Sequence, residues 1–420
     1  MEIPKGYKQT EVGVIPEGWE VKKVSSIFTF LKTNTLSRDS LNYYAGEVKN
    51  VHYGDILVKY GEILNAAEKG IPYINFDIKL GNNPSYLQSG DIIMSDTAED
   101  EVVGKSSEII NVSEKIVSGL HTMALRPQTV FAPKYLGYFF NSSLYHDQLL
   151  PYMQGIKVLS LSKSAVGQTY IIYPKDLNEQ IAISSSLSEI DELIAGLGEQ
   201  IDKKRQIKEG AMQQLLTGKT RLPGFSQPWV EKKLGDICEM ASGGTPSSKV
   251  AAYYGGNINF LSISDMTASG KYIYSTEKRI TELGLSNSSA KIYPPNTLMY
   301  AMYASLGKCA ISKIETAVSQ AILGFTLSSE INIDFLYYHF CFIEDIVKNM
   351  GQTGTQSNLS KGLVQEFTIV LPEIDEQEAI ADVLNTMDDE IHQLEAERDK
   401  YTLIKQGMMQ ELLTGKTRLV

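Results

Sequence analysis

Four hundred and twenty residues, 43% of them hydrophobic and 21% charged, are enough for two or three domains with real cores. A formal net charge of −11 argues against a generic basic nucleic-acid binder, and no apolar run reaches the roughly 18 residues of a membrane span. The opening MEIPKGYKQTEVG lacks the apolar stretch of a signal peptide. Three cysteines (Cys238, Cys309, Cys341) without Cys-x-x-Cys spacing suggest reduced thiols, so a cytoplasmic protein is expected.

Residues 1–18 read as an irregular lead rich in Pro and Gly. Trp19-Glu-Val-Lys-Lys-Val-Ser-Ser-Ile follows, and Trp229-Val-Glu-Lys-Lys-Leu-Gly-Asp-Ile echoes it 210 residues later. The interiors behind these openings read as mixed α and β. Gly90-Asp-Ile-Ile-Met and Gly119-Leu-His-Thr-Met-Ala-Leu are predicted strands in the first, as are Asn257-Ile-Asn-Phe-Leu and Asn296-Thr-Leu-Met-Tyr in the second. A helix is predicted from Pro133, with proline in its first turn, and a matching one from Ile333. Each interior then crosses a polar loop with Leu-Ser-Lys (from Leu161 and Leu359). Each ends in a short apolar strand closed by Pro174 or Pro372.

Next comes the most informative stretch, because it occurs twice. Residues 178–222 and 375–419 align without a gap at an offset of 197, and both end in Leu-Leu-Thr-Gly-Lys-Thr-Arg-Leu. Apolar residues at Ile183, Leu187, Ile190, Ile194, Leu197 and Ile201, and at Ile380, Leu384, Met387, Ile391 and Leu394, trace a heptad seam. The predicted partner of each long helix is the other copy, with burial in two separate cores as the alternative. Residues 181–217 would extend about 55 Å. Asn178 and Asp375 are the predicted N-caps, and Gly218 and Gly415 the C-caps.

Charge separates these helices from the interiors. Residues 375–419 hold 5 basic and 11 acidic groups, whereas residues 1–177 hold 17 and 19 and residues 223–374 hold 11 and 13. The acid of the second helix suits a protein partner better than phosphate. A frame copied closely around interiors that are not suggests two related sites reading two different targets.

Motifs for chemistry are weak. Gly-Lys-Thr at Gly218 and Gly415 lacks the earlier glycine of a phosphate loop, since Gln213 and Gln410 stand there, and it ends a helix where such a loop follows a strand. There is no Asn-Pro-Pro-Tyr and no Gly-x-Gly-x-x-Gly, and the five histidines have no metal-ligand spacing. Ser160-Leu-Ser-Lys163 lacks its companion motifs. Asp39, Glu47 and Lys49 would motivate a nuclease, but Glu-x-Lys is common by chance. What remains is loops of small polar, amide and basic residues. In the first interior the candidates are Lys32, Thr33, Asn34, Thr35, Ser37 and Arg38, then Lys157, Ser162 and Lys163. In the second they are Thr245, Ser247, Lys249, Asn257 and Asn259, then Gln352, Thr355, Gln356 and Asn358. Amides pair with adenine edges and Arg or Lys with guanine, while hydroxyls suit phosphate.

Several stretches together resemble the DNA-specificity subunit of type I restriction-modification systems. They are Gly6-Tyr-Lys-Gln-Thr-Glu-Val-Gly-Val-Ile-Pro16 with Trp19, the loop Gly243-Gly-Thr-Pro-Ser followed by Tyr254-Gly-Gly, the Asn/Asp-Glu-Gln-x-Ala helix starts and both Leu-Leu-Thr-Gly-Lys-Thr-Arg-Leu ends. The resemblance implies an α+β chain with two mixed α/β target-recognition domains (1–177 and 223–374). Two long antiparallel helices (178–222 and 375–420) would join them as a pseudo-two-fold symmetric coiled coil. Each domain would read half of a bipartite double-stranded DNA site. The helices would fix the gap and dock two modification subunits, with restriction subunits as further partners. Glu179, Gln180, Thr217, Lys219, Glu376, Gln377, Thr414 and Lys416 are the candidate docking residues. The chain itself would carry no catalytic site, metal or cofactor: S-adenosylmethionine, magnesium and ATP belong on the partners. A protein-only adaptor is the other reading the acidic helix allows.

Overall fold

A computed structural model describes residues 3–68, 70–353 and 358–419. It divides into two compact units, Met1–Gly198 with Ala396–Val420, and Glu199–Glu395, so each long helix begins in one unit and ends in the other.

In the first unit, strand Trp19–Lys23 pairs antiparallel with Tyr170–Pro174, Trp19 opposite Pro174. The interior is held between these two strands. Its five-stranded sheet runs Phe28–Phe30, Thr122–Pro127, Ile92–Ser95, Ser106–Ile110, Ile63–Asn65. A four-stranded sheet runs Ile116–Ser118, Lys49–Val51, Tyr73–Ile74, Leu41–Asn42. Ile92–Ser95 is buried on both faces and therefore reads as a continuous apolar run instead of an alternation. Tyr135–Phe140 is a short helix with all six residues buried in the core that also holds Trp19. Pro133 lies outside that helix. Lys134 takes a left-handed conformation (φ 71°) at the cap, and the buried Glu108 carboxylate accepts the Lys134 and Gly137 N–H groups at 2.7 and 2.9 Å.

The second unit repeats the plan. Val230–Lys233 pairs with Thr368–Leu371. The five-stranded sheet runs Cys238–Ser242, Ile322–Leu327, Thr297–Ala301, Cys309–Ser312, Tyr272–Ile273. The four-stranded one runs Lys278–Ile280, Tyr254–Leu261, Thr316–Val318, Lys291–Tyr293. Three strands of this small sheet match the first unit; the fourth is added at the opposite edge. The matching helix is longer, Ile333–Thr353, and Asn332 caps it by accepting from the Asp334 and Phe335 N–H groups.

The long helices span Leu177–Leu215 and Ile374–Leu412. Their caps lie earlier than Asn178 and Asp375: the Asp176 carboxylate accepts the Asn178 N–H at 2.9 Å, and the Glu373 carbonyl accepts from Glu376 and Gln377. Gly218 (φ 67°) and Gly415 (φ 71°) supply the left-handed ends, as expected. Inside the first unit, the start of the first helix (Ile183, Leu187) and the end of the second (Met409, Leu412, Leu413) enter one core with the interior. Inside the second unit, Met212, Leu215 and Leu216 do the same with Ile380, Ala381 and Leu384. Both sequence readings thus hold in part: the helices pair, and their ends are also core.

Candidate nucleic-acid interface

Hydrogen bonds gather four loops of the first unit at one end of its sheets. Asn34 N–H donates to the Ser118 carbonyl, Asp96 N–H to His121, Leu161 N–H to Asp96, and Lys163 Nζ to Leu31. The second unit repeats three of these links, with Gly244 N–H donating to Val318, Met302 to Ala321 and Leu359 to Met302. Strand register makes the equivalence residue by residue, because Val51 pairs with Ser118 as Leu261 pairs with Val318. Asp55 therefore corresponds to Asp265, and the loop from Lys32 to the loop from Ser242.

The offset of 210 that relates Trp19 to Trp229 runs on through Thr35/Thr245, Ser37/Ser247, Tyr43-Tyr44/Tyr253-Tyr254 and Gly46/Gly256 to Asp55/Asp265. That signal is present in the sequence beyond the two Trp openings. It has physical causes. A Cβ on Gly46 would stand 2.7 Å from the Ile74 carbonyl oxygen, and one on Gly256 would stand 2.4 Å from that of Ile280. Gly243 passes so close to Val318 that no side chain fits.

The candidates divide by what their polar atoms already do. Lys32, Thr35, Ser37 and Lys157 are exposed, as are Ser247, Lys249, Asn257 and Asn358. Thr33 is half-buried and lines a small cavity of about 120 Å³ with Lys32, Asn34 and Asn82. The Asn34 amide is committed inward, donating to Asn50 Oδ1 (2.6 Å) and Ser118 O (3.0 Å). Arg38 grips Asp55 through two bonds of 2.9 and 3.0 Å, and this pairing raises its already high pKa further. Ser162 caps the helix Lys163–Gln168. Thr245 donates to Gln320 Oε1 and Asn259 to the Glu315 carbonyl. The Gln352 side chain, Thr355 and Gln356 lie outside what the structure describes. Of the nuclease set, Lys49 is ion-paired with Glu114.

Four of the docking candidates need correction. Glu179, Gln180, Glu376 and Gln377 are 2%, 1%, 2% and 0% exposed, so they face their own units. Glu179 accepts Arg418 Nε and Nη2 at 2.8 and 2.7 Å and Trp19 Nε1 at 3.3 Å. Glu376 accepts Arg221 at 2.6 and 2.7 Å and Trp229 Nε1 at 3.2 Å. Gln180 bonds Pro174 O and the Ala132 N–H; Gln377 bonds Pro372 O, Glu330 O and the Asn332 N–H. These contacts explain why Trp-x-x-Lys-Lys, Glu-Gln and Lys-Thr-Arg-Leu recur together: they form one clamp in each unit. Thr217 and Thr414 hydroxyls bond their own helices, while Lys219 and Lys416 are exposed and available.

A second repeated set is a Tyr-Asp-Lys triad in each unit. Tyr138 donates to Asp191 (2.7 Å), which also pairs with Lys405; Tyr338 donates to Asp388 (2.7 Å), which pairs with Lys208. Asp191/Asp388 and Lys208/Lys405 both obey the offset of 197, so each triad ties the interior to the helix pair within its unit.

The known proteins this chain resembles agree with that architecture. Residues 226–400 match the family described as the type I restriction modification DNA specificity domain. A Methanocaldococcus jannaschii protein, provisionally named the type I restriction enzyme MjaX specificity subunit, is 25% identical over 99% of this chain and 97% of its own length. The crystal structure of the type I restriction-modification S subunit from M. genitalium shares the fold, with a TM-score of 0.56 at 15% identity, covering 98% of each chain. So does a chain from a structure concerned with complex assembly and conformational transition of the type I R-M system, with a TM-score of 0.64 at 15% identity, covering 96% of this chain and 99% of that one. The fold is that of solved S subunits, and the matched family is described by DNA specificity. This chain resembles the type I restriction enzyme specificity subunits along nearly its whole length, and its residues 226–400 match that family's DNA specificity domain. Among the described residues, no helix is long and apolar enough to cross a membrane.

Proposed function

We propose that each unit reads one half of a bipartite double-stranded DNA site with the loops gathered at its sheet ends. The observation that carries this is the same loop assembly built twice on one frame, with different side chains exposed on it. Arg38 stands where the second unit has Ser248, and His121 where it has Ala321. Lys32, Thr33, Thr35, Ser37, Arg38 and Lys157 are the contacts in the first half, and Thr245, Ser247, Lys249, Asn257 and Asn358 those in the second. Asn34, Ser162 and Asn259 position backbone. The long helices set the spacing between half-sites and dock two modification subunits, with restriction subunits joining that complex. Lys219 and Lys416 are the exposed docking residues of the repeated ends. Chemistry stays on the partners, which supply S-adenosylmethionine, magnesium and ATP; this chain binds none of them.

The test is genome-wide adenine methylation with and without this chain, its neighbouring methyltransferase expressed throughout. A bipartite motif that vanishes on deletion supports the proposal and reads out the target. An unchanged methylome with an active partner rejects it.

A further inference from the structure

Two thiols in the second unit stand apart from everything the recognition role uses. The Cys309 and Cys341 sulfurs are 3.9 Å apart. Cys309 opens the strand Cys309–Ser312, second from the edge of the large sheet, and is 2% exposed. Cys341 lies on the helix Ile333–Thr353 that packs over this strand, and it is only half-buried. Of the two residues, the one on the helix lies nearer solvent and the one on the strand lies beneath it.

The surroundings make the two unequal. The hydrogen bond to Cys309 favours the Cys341 thiolate; burial opposes this, and Tyr337 and the nearby Lys208 ammonium add to it, leaving the Cys341 pKa lowered. Burial keeps Cys309 protonated. A thiolate-favoured cysteine on a half-buried residue and an adjacent protonated thiol are the two members of an oxidation couple.

We propose that Cys309 and Cys341 form an oxidation site at which a hydroperoxide closes a reversible disulfide between sheet and helix. The Cys341 thiolate attacks one peroxide oxygen and the O–O bond breaks. The departing oxygen takes up a proton, and Cys341 is left as a sulfenic acid. The Cys309 sulfur then attacks the Cys341 sulfur, the S–O bond breaks, and hydroxide leaves as water with the Cys309 proton. With hydrogen peroxide, two thiols lose two electrons in total and the peroxide becomes two waters. The sulfurs approach from 3.9 Å to about 2 Å, the length of a disulfide. The bond closes the chain between residues 309 and 341, which restricts the unfolded second unit and stabilises it.

The experiment treats the full-length chain with stoichiometric hydrogen peroxide under non-reducing conditions. The expected result is loss of two of the three free thiols, a mass decrease of two hydrogens and a single cross-linked peptide pair containing Cys309 and Cys341. Dithiothreitol should restore all three thiols. Oxidation should also raise the Tm of the chain by roughly 5 °C. Cys341→Ser should abolish the cross-link, and Cys238→Ala should leave it intact. Three thiols still titratable, a cross-link through Cys238 or between chains, or Cys341 gaining two oxygens while Cys309 stays free would each overturn the proposal.

Discussion

Glu108 and His339 show how single buried groups bear on stability in opposite directions. Burial pushes the Glu108 carboxyl up to about 7, against the opposing pull of the backbone N–H groups that it accepts. Its folded-state pKa is above the ordinary value, so the folded form holds its proton longer. Stability from this group is present below about pH 4.5 and falls as pH rises toward 7. Burial pushes His339 down to about 4, and its Nδ1 has no hydrogen-bond partner. Its contribution is present above the ordinary value of 6.5 and is lost as pH falls toward 4. Glu108→Gln cannot ionise, so its Tm should fall less than the parent's between pH 5 and pH 8, from a lower starting value because the amide nitrogen cannot accept the N–H that one carboxylate oxygen accepts. His339→Phe, the residue type that stands at Phe139 in the first unit, should flatten the acid limb between pH 6.5 and 4. Thermal melts across pH check both; parallel curves for variant and parent would remove the assignment. Neither group was legible as special in the sequence, because burial of a lone Glu or His depends on the strand or helix packed above it.

At the element scale, the clamp and the triads explain what the long helices do inside each unit. Arg418 reaches a carboxylate that is almost fully buried, Glu179, which also accepts from Trp19. Arg418→Ala leaves that carboxylate without its cation. Because solvent reaches the guanidinium, a loss of about 2 kcal/mol is expected. Trp19→Ala empties a fully buried site and should cost about 3–5 kcal/mol. Chemical denaturation of the full chain measures both, and no change in midpoint for either would show that the clamp is not structural. The heptad pattern and both glycine caps were readable because periodicity and left-handed φ are local demands on sequence. Cap positions shifted by a residue or two because Asp176 and Glu373 compete with Asn178 and Asp375, and tertiary contacts chose between them. Glu-Gln looked like surface for docking partners, yet its role is internal: the amide and carboxylate satisfy groups contributed from distant parts of the chain.

For the whole molecule, the recognition proposal makes modular outcomes expected. Exchanging residues 20–177 for the corresponding segment of a similar protein should change one half-site and leave the other unaltered in the methylated motif. A change in both halves would contradict one unit reading one half. Inserting one helical turn within 195–205 should alter the spacer length without changing either half-site. Lys32→Ala should weaken binding of the assembled complex and reduce its salt dependence by about one phosphate contact if Lys32 meets backbone. A loss confined to one base position would instead mark it as a base reader.

The sequence by itself determined the duplication, the α+β class, the long helices and their glycine C-terminal ends, since repeat register, apolar period and turn glycines are written locally. It also held the second offset, of 210, that relates the loops at the sheet ends. Only the tertiary structure decided which polar residues are spent inside the protein. It committed Asn34, Glu179, Gln180, Glu376 and Gln377 to partners elsewhere in the chain and left Lys32, Lys157, Lys249 and Asn257 facing solvent. Burial is a property of what packs against a residue, and hydrogen-bond commitment is a property of distance; neither is encoded by residue type alone.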